Sequence, residues 1–304
     1  MSRTYKATGI NLKSMPMGES DRLLTILTRE YGLVQVVAMG ARKHNSSLSG
    51  RSGLFVVNQL LIAKGRSLDK LAQAETLESY PGLSQDLKKL TASQYLAELC
   101  LCQALSEQPQ EELFNLLTHH LKRLERSPSH LVLPYLTDAI FQLLALEGVA
   151  PQVYRCCVTQ NPLCPDLETP NWRVGFSAPA GGTVTLEALH QMQQRKPMPK
   201  PRSMPATGEP AASYISSGSF KRSAHLHRQI SAMELAVLQA IAQSEPHTAD
   251  QSANFANLPT SNEDWLSVER LLRQYAQYHF DRPIRSASLV DACFLSSSTC
   301  SGNS

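Results

Sequence analysis

The sequence lacks the short motifs that mark the common nucleotide-dependent and metal-dependent enzymes. It contains no GxxxxGK[ST] phosphate loop, no GxGxxG dinucleotide fingerprint and no HExxH zinc motif. The first two motifs bind phosphates with glycine-rich turns at a helix N-terminus, and the third places two histidine ligands on one helix face. ATP use, a Rossmann cofactor and zinc-peptidase chemistry are therefore not expected, and we predict a protein that is not an enzyme.

Long apolar runs and a signal peptide are also missing. No stretch approaches the roughly 18 uninterrupted apolar residues of a membrane span, and the first residues carry charge early. The seven cysteines are an odd number in a chain of 304 residues, which is long enough to bury cores without disulfide bonds. These observations predict a cytoplasmic protein, of roughly two domains by its length.

A strong net charge is absent as well, because the total is only +3. The charge is nevertheless uneven along the chain. Residues 1–80 contain 11 Lys/Arg against 6 Asp/Glu, residues 81–192 contain 7 against 11, and residues 193–304 contain 11 against 9. An anionic ligand would favour the basic N-terminal part, although ordinary basic domains show the same excess.

The first 80 residues predict a small β-barrel. Strands rich in β-branched or alternating apolar residues are expected at residues 6–13, 22–30, 32–40, 55–64 and 70–79. The step Tyr31-Gly32 is expected to be a hairpin turn. Because no helix here is long enough for a crossover, a five-stranded closed barrel of the OB type is favoured. Residues 41–53 (ARKHNSSLSGRSG) interrupt the strands, and we call them the basic loop.

After Pro81 the apolar period becomes that of helices. Ser84 is predicted to cap a helix running to about Leu105, and leucine stripes predict two more helices at residues 113–124 and 133–144. Two later helices are expected, the first behind a capping box at residues 231–234 and the second around residues 265–275. The predicted fold class is therefore α+β, with an OB domain followed by an all-helical domain.

The predicted division of the chain assigns each remaining segment. It consists of an OB-fold nucleic-acid-binding domain at 1–80, a helical domain at 81–292 with an irregular subregion at 150–190 and a Pro-rich linker at 193–222, and a disordered tail at 293–304. The packing of aromatic and apolar side chains around Trp172, Val174 and Phe176 is expected to hold the irregular subregion together.

Several segments, taken in order, resemble the RecO family of bacterial DNA repair and recombination mediators. They are residues 18–22 (GESDR), 28–32 (TREYG), 38–43 (AMGARK) with the serines that follow, 71–75 (LAQAE) and 270–289 (RLLRQYAQYHFDRPIRSASL). The likeness extends over roughly residues 1–80, 84–190 and 231–290. It implies an N-terminal OB barrel and a helical domain, which in this family often carries a zinc-binding cysteine cluster.

The chain departs from that family pattern at the cysteine cluster. Cys156, Cys157 and Cys164 are present, but residues 175–184 (GFSAPAGGTV) stand where a second cysteine pair would be. Four-cysteine zinc sites need paired thiolates from two loops. The subregion is therefore interpreted as a degenerate zinc finger, and no zinc or other cofactor is expected. The histidines His119, His120, His225 and His227 are interpreted as structural or solvated rather than as ligands.

The residues predicted to contact DNA are the basic side chains of the barrel and its loop. They are Arg22, Arg42, Lys43, Arg51, Lys64 and Arg66. A basic groove can follow the line of phosphates, and because aromatic residues are few in this part, the contact should be mainly electrostatic and weakly sequence-specific. The alternative is that these cations only solvate an exposed face.

The resemblance implies a protein that binds single- and double-stranded DNA, anneals complementary strands and, with RecR, assists the loading of RecA onto strands coated with single-strand-binding protein. Lys122, Arg123 and Arg126 are candidates for contacting the acidic tail of single-strand-binding protein, but cations near a helix C-terminus explain them equally. Two other classes stay open. One is an adaptor whose basic loop docks an acidic protein, and the other is a metalloenzyme built on the leftover cysteines and histidines.

Overall fold

The computed structural model describes residues 4–194, 227–243 and 259–295. The N-terminal strands are β1 (Thr4–Met17), β2 (Asp21–Thr28), β3 (Gly32–Ala38), β4 (Val56–Ala63) and β5 (Asp69–Ser79). They close into a barrel in the order β1-β2-β3-β5-β4, in which only the pair of β3 and β5 is parallel. The predicted five-stranded barrel and the hairpin of β2 and β3 are confirmed.

The barrel contributes to two separate apolar cores. Leu24, Ile26 and Leu60 are fully buried inside the barrel with the other inward-facing residues of the strands. Ile10 and Leu27 belong instead to the large core that the helices form. Because each buried side chain of this size contributes about 1.5–3 kcal/mol, the barrel and the helices stabilise one another across this contact.

The remainder of the chain is mainly helical. The helices are α1 (Leu87–Gln103), α2 (Glu111–Arg126), α3 (Val132–Leu146), α4 (Leu186–Gln194), α5 (Ala232–Ala242), α6 (Asn262–Phe280) and α7 (Ala287–Leu295). The leucine stripes predicted for α2 and α3 are buried, and the capping box of Ser231 and Glu234 begins α5 as predicted. Trp265 and Tyr275 lie buried on α6.

The helical second part is confirmed, but the subregion expected to be irregular contributes strands to a small sheet. Residues of that subregion form β6 (Arg173–Ser177) and β7 (Gly182–Val184), and β8 (His227–Ser231) joins them in an antiparallel sheet of order β7-β6-β8. Val174 and Phe176 join the helical core, which confirms their predicted packing role. Strand β6 is the central strand of this sheet, and one of its two partners, β8, follows it by about fifty residues in the sequence.

The C-terminal boundaries also differ from the prediction. The proposed tail was expected to begin at Cys293, but α7 continues to Leu295 and Phe294 is 4% exposed. The Pro-rich segment at 193–222 lies outside the described residues apart from its first two, and so do residues 296–304.

One described segment, Ser129–Leu146, is long and apolar enough to cross a membrane by length and composition alone. It is 67% buried inside the protein, and it includes α3. Leu133, Leu136 and Ile140 of this segment are completely buried in the helical core. Its apolar character is therefore explained by its place in that core, since a helix buried in a protein core can be equally long and apolar.

The start of α1 corrects another prediction. Ser84 lies in a short 3-10 helix, Pro81–Gln85, and its hydroxyl donates to the Pro81 carbonyl at 2.8 Å. The N-cap is Asp86, whose carboxylate accepts the Lys88 N–H at 2.8 Å. A hydrogen bond from the Ser129 hydroxyl, followed by the bond from Lys88, lowers the pKa of Asp86.

We expect Asp86→Ala to reduce the free energy of unfolding by about 1 kcal/mol, as for other N-cap residues. Ser84→Ala is the matched control and should cost less than about 0.5 kcal/mol, as exposed substitutions do. Because the folded-state pKa of Asp86 is lowered, its contribution is present above the unfolded pKa and is lost as the pH falls through the folded one. Urea denaturation at neutral and acidic pH measures both effects, and equal losses for the two variants would contradict this cap.

Candidate nucleic-acid interface

The basic loop between β3 and β4 is folded by its own turns. The Ser46 N–H donates to the Lys43 carbonyl at 3.1 Å, and the Ser49 N–H donates to the Ser46 carbonyl at 3.1 Å. The Ser52 N–H then donates to the Leu48 carbonyl at 2.9 Å, within a loop whose only regular element is the 3-10 helix Gly50–Ser52. The loop therefore has a defined conformation in spite of its glycine and serine content.

Polar side chains from three strands pin the end of this loop to the barrel. Asn11 on β1 donates from Nδ2 to the carbonyls of Arg51 and Gly53, both at 2.8 Å. Asn58 on β4 donates to the same Arg51 carbonyl at 3.0 Å. Arg22 at the start of β2 donates from Nη1 to the Ser52 hydroxyl at 3.2 Å. These bonds hold the backbone around Arg51 in place.

The turn between β1 and β2 braces the other end of the basic loop. Asp21 accepts the Gly40 N–H at 2.7 Å, and this bond, with a second one from the Ser20 hydroxyl, lowers the pKa of Asp21. Arg42 donates its backbone N–H to the Ser20 carbonyl at 2.8 Å and its Nη1 to the Gly18 carbonyl at 2.9 Å. The position of Arg42 is therefore set by hydrogen bonds to carbonyl groups.

The structure brings four of the six predicted cations to this end of the barrel. Arg42 and Lys43 are exposed, whereas Arg22 and Arg51 are half-buried. With the β1–β2 turn included, this region contains four Lys/Arg and only two carboxylates, those of Glu19 and Asp21. In the part of the chain that the structure describes, none of the six predicted cations forms an ion pair with a carboxylate. An exposed surface of this kind suits polyanion phosphates.

Lys64 and Arg66 lie elsewhere, in the turn between β4 and β5. The preceding residue Ala63 pairs with Thr4 at the start of β1, whereas the β1–β2 turn follows the end of the same strand. A strand of 14 residues extends up to roughly 40 Å when it rises about 3.3 Å per residue. The six cations therefore form two groups, one at the basic loop and one in the β4–β5 turn, rather than one patch.

Sequence reasoning did not identify the two asparagines that hold the basic loop. Asn11 and Asn58 are both completely buried. Asparagine is depleted in strands, so its presence in two otherwise apolar strand segments was a usable signal. A buried amide needs hydrogen-bond partners, and here the Nδ2 groups of both asparagines donate to loop carbonyls.

The candidate partner-binding residues on α2 are mostly engaged within the protein. Lys122 pairs with Glu78 of β5 at 2.9 Å, with both side chains exposed to a similar degree. Arg123 pairs with the buried carboxylate of Asp138 and lies 4.0 Å from the Tyr135 ring centroid. Arg126 is exposed and forms no ion pair among the described residues. An intramolecular role thus accounts for Lys122 and Arg123.

The cysteines do not fit a zinc centre. The Cys156 sulfur accepts N–H groups from Thr159 at 3.4 Å and from Thr185 at 3.3 Å. Burial raises the pKa of this thiol, but the hydrogen bonds outweigh burial and lower it to about 7. Thr159 lies three residues after Cys156, at the position where a zinc knuckle with two intervening residues has its second cysteine. Within the described ranges no three His, Cys, Asp or Glu residues converge as ligands.

The adjacent histidines on α2 have structural surroundings. His120 is 1% exposed, and its Nε2 lies 3.1 Å from Oε1 of Gln142. Burial, with smaller effects from the charges of His119 and Arg123, lowers the pKa of His120 to about 3. His120 is therefore neutral at pH 7 and belongs to the contact between α2 and α3.

The fold and the basic loop together define a class of protein, namely an OB-type barrel equipped to bind nucleic acid. A family model described as "Recombination protein O N terminal" matches residues 1–80, and one described as "Recombination protein O C terminal" matches residues 84–195. The chain belongs to the RecO family. It is accordingly a DNA repair and recombination protein, as the sequence resemblance predicted.

Similar proteins match almost the whole chain. A protein named "DNA repair protein RecO" from a Nostoc species is 54% identical over 97% of both chains, and one from a Cyanothece species is 56% identical over 97% of both. A third protein of the same name, from Gloeobacter violaceus, is 42% identical over 96% of this chain and 94% of its own. The likeness therefore includes the helical part as well as the barrel.

Proposed function

We propose that the protein is a cytoplasmic, non-enzymatic recombination mediator that binds both single- and double-stranded DNA through the basic end of its barrel. It promotes annealing of complementary strands and, with RecR, assists the loading of RecA onto strands coated with single-strand-binding protein. The observation that carries the proposal is the ordered basic loop, which presents Arg42 and Lys43 to solvent without an ion pair to any carboxylate of the described residues. No metal or cofactor is required for this role.

Annealing follows from the physics of such a surface. Two complementary strands repel each other through their phosphates, and cations that neutralise phosphates lower that repulsion while releasing counterions. Contacts to phosphate position a strand without reading its bases. An ordered loop that presents cations to phosphates can therefore accept any sequence, which a mediator of pairing between arbitrary strands needs.

Charge reversal in the basic loop tests this proposal. For the full chain carrying Arg42→Glu/Lys43→Glu, we expect affinity for single-stranded DNA to fall about tenfold to a hundredfold in low salt. We expect the slope of log affinity against log salt to become shallower by about 1.4, or about 0.7 per lost phosphate contact. The annealing rate of complementary oligonucleotides should fall in parallel, and all sequences should be affected alike. Fluorescence anisotropy over a salt series measures the binding.

The matched control is Arg282→Glu/Arg285→Glu, which makes the same change in net charge at exposed positions after α6. We expect it to alter DNA affinity by less than about threefold, because exposed charges outside the basic loop are screened by salt. If the control weakens binding as much as the loop variant does, only net charge matters and the assignment to the basic loop is wrong. Binding that is unaffected by salt would contradict the proposal as a whole.

A further inference from the structure

The second group of cations, Lys64 and Arg66, lies beside a pocket whose lining includes two aromatic side chains. The pocket has a volume of about 550 Å³ and opens where the start of β1, the β2–β3 turn and the β4–β5 turn meet the connection between α1 and α2. Among its lining residues are Tyr5, Tyr31, Gln35, Lys64, Asp69 and Glu107. Its size falls within the range of about 300–1,000 Å³ typical of small-ligand sites.

Two aromatic rings form one wall of this pocket. Tyr5 and Tyr31 lie 26 positions apart in the sequence, yet their ring centroids are 4.9 Å apart in an edge-to-face arrangement with an interplanar angle of 68°. Tyr31 is 39% exposed. An aromatic side chain that is partly open to solvent beside a second ring offers an apolar surface on which a flat group can pack.

Hydrogen bonds hold both tyrosines in position. The Tyr5 hydroxyl donates to Oδ2 of Asp69 at 2.7 Å, and Oδ1 of the same carboxylate accepts the Gly65 N–H at 3.0 Å. The backbone of Tyr31 donates to the Thr28 hydroxyl at 3.1 Å and accepts the Glu107 N–H at 3.0 Å. The Asp69 carboxylate accepts hydrogen bonds from both Tyr5 and Gly65, so Tyr5 is held in place before any ligand binds. The same two donors partly compensate the negative charge of Asp69.

A cation completes the site. The Lys64 ammonium lies 5.7 Å from the Tyr5 ring centroid, within the distance of a cation–π contact. Arg66 is exposed in the same turn. Aromatic faces next to cations are the features by which single-strand-binding surfaces hold bases and phosphates together, and the side chain of Gln35 at the pocket supplies both a hydrogen-bond donor and an acceptor.

We propose that this pocket binds a nucleobase of single-stranded DNA, with the base stacked on Tyr31 and a neighbouring phosphate held by Lys64 and Arg66. The inference rests on the proposed DNA-binding function and adds a second contact to it, distinct from the basic loop. Every base has a flat face, so the contact tolerates any sequence. Bases in a duplex are already stacked on each other, so this site takes single strands and not intact double strands.

Removing the exposed ring tests the proposal with two probes of equal charge. One probe is a thymidine oligonucleotide, and the other is an oligonucleotide of the same length whose residues are abasic. For the full chain carrying Tyr31→Leu we expect affinity for the first probe to fall about fivefold to a hundredfold, as when a stacking aromatic residue is lost. Affinity for the abasic probe should change less than twofold, and Tyr31→Phe should retain binding to both probes.

A matched control and a direct measurement accompany this test. Tyr154 is 38% exposed in the helical part, and Tyr154→Leu should leave binding to both probes unchanged. In the unsubstituted protein, a photoreactive 5-iodouracil oligonucleotide should cross-link to the peptide that contains Tyr31 or Tyr5. A cross-link confined to other peptides overturns the proposal whether or not the Tyr31 variants fold.

The outcomes separate this inference from the proposed function. If Tyr31→Leu weakens binding to both probes equally, or to neither, the pocket is not a base site and another occupant such as an apolar peptide must be sought. The DNA-binding function would still stand in that case if charge reversal at Arg42 and Lys43 weakens binding. If the unsubstituted protein binds neither probe, both ideas fail together.

Discussion

Gly32→Ala is expected to lower the free energy of unfolding of the full chain by about 2–5 kcal/mol. Gly32 has a φ of +63°, and a left-handed backbone costs a residue with a side chain roughly 1–2 kcal/mol. A Cβ at this position would lie 2.0 Å from the Leu105 carbonyl oxygen and 2.6 Å from that of Gln108. Both obstacles are backbone atoms, so relief requires the connection between α1 and α2 to move, at a further cost of about 1–3 kcal/mol.

The movement would break the hydrogen bonds that join the barrel to the helices. Across this contact the Leu33 N–H donates to Leu105 at 2.9 Å, the Glu107 N–H to Tyr31 at 3.0 Å and the Gln110 N–H to Arg29 at 2.9 Å. We therefore expect faster proteolysis between α1 and α2 in the variant as well as a lower midpoint in urea.

Gly18→Ala is the matched control for this prediction. Gly18 has nearly the same backbone conformation, with a φ of +62°, but nothing lies within 4 Å of a built Cβ. The control should therefore lose only the conformational part, roughly 1–2 kcal/mol, and should leave the α1–α2 connection resistant to protease. Equal losses of stability in the two glycine variants would show that the connection adapts without cost.

Arg273→Met is expected to reduce the free energy of unfolding by about 3–5 kcal/mol, because it leaves a buried carboxylate without its partner. Glu269 has a fully buried side chain and accepts from Nε of Arg273 at 3.0 Å, with a second bond from Nη2. Nη1 of Arg273 donates to Asp291 of α7 at 2.7 Å. Burial by itself lowers the pKa of Arg273, but the bonds and charges of both carboxylates outweigh burial and raise it.

Arg270→Met is the matched control, since Arg270 lies on the same helix and also donates to Asp291, at 2.8 Å. Its side chain is 39% exposed, against 13% for Arg273. Exposed ion pairs contribute about 0–1 kcal/mol, so the control should lose no more than that. Similar losses for the two arginine variants, measured by urea denaturation at pH 7, would contradict a special role for the buried pair.

The pH dependence and a double substitution identify the cause of the loss. Burial raises the pKa of Glu269, and removing Arg273 takes away the largest of the interactions that oppose this rise. A group with a raised folded-state pKa stabilises the fold below its unfolded pKa, and this contribution is lost as the pH rises through the folded one. The Arg273→Met variant should therefore recover stability as the medium is acidified toward pH 5, and Glu269→Leu in the same chain should restore much of it at pH 7.

The barrel was predictable because its information is local. Alternating apolar residues in β2 and β3 place Leu24, Ile26 and Val36 inside the barrel, and a period of two needs no knowledge of distant partners. Strand β5 shows where this reasoning stops, because Leu71 and Ala74 are buried three positions apart. The register of β5 against β4 shifts at that point, and simple alternation does not anticipate such a bulge.

In the helical part, a helix with a regular apolar stripe was predictable, whereas a strand that pairs with a distant segment of the chain was not. The stripe of α2 needed only a period of 3.6 residues. The cap of α1 required a choice between Ser84 and Asp86, two residues apart and both suitable by type. The sheet of β6, β7 and β8 joins a short local hairpin to a strand far along the chain, so the hairpin resembled irregular structure when considered alone.

The sequence by itself determined which chemistry is present: a barrel, a basic loop, an incomplete cysteine cluster and likeness to the RecO family. Residue type and local period carry that information. Only the tertiary structure decided that Arg42 and Lys64 belong to separate surfaces, that buried asparagines hold the loop, and that Tyr5 and Tyr31 share a pocket. The physical reason is that barrel closure brings together side chains from different strands, and their proximity depends on strand order and register rather than on spacing along the chain.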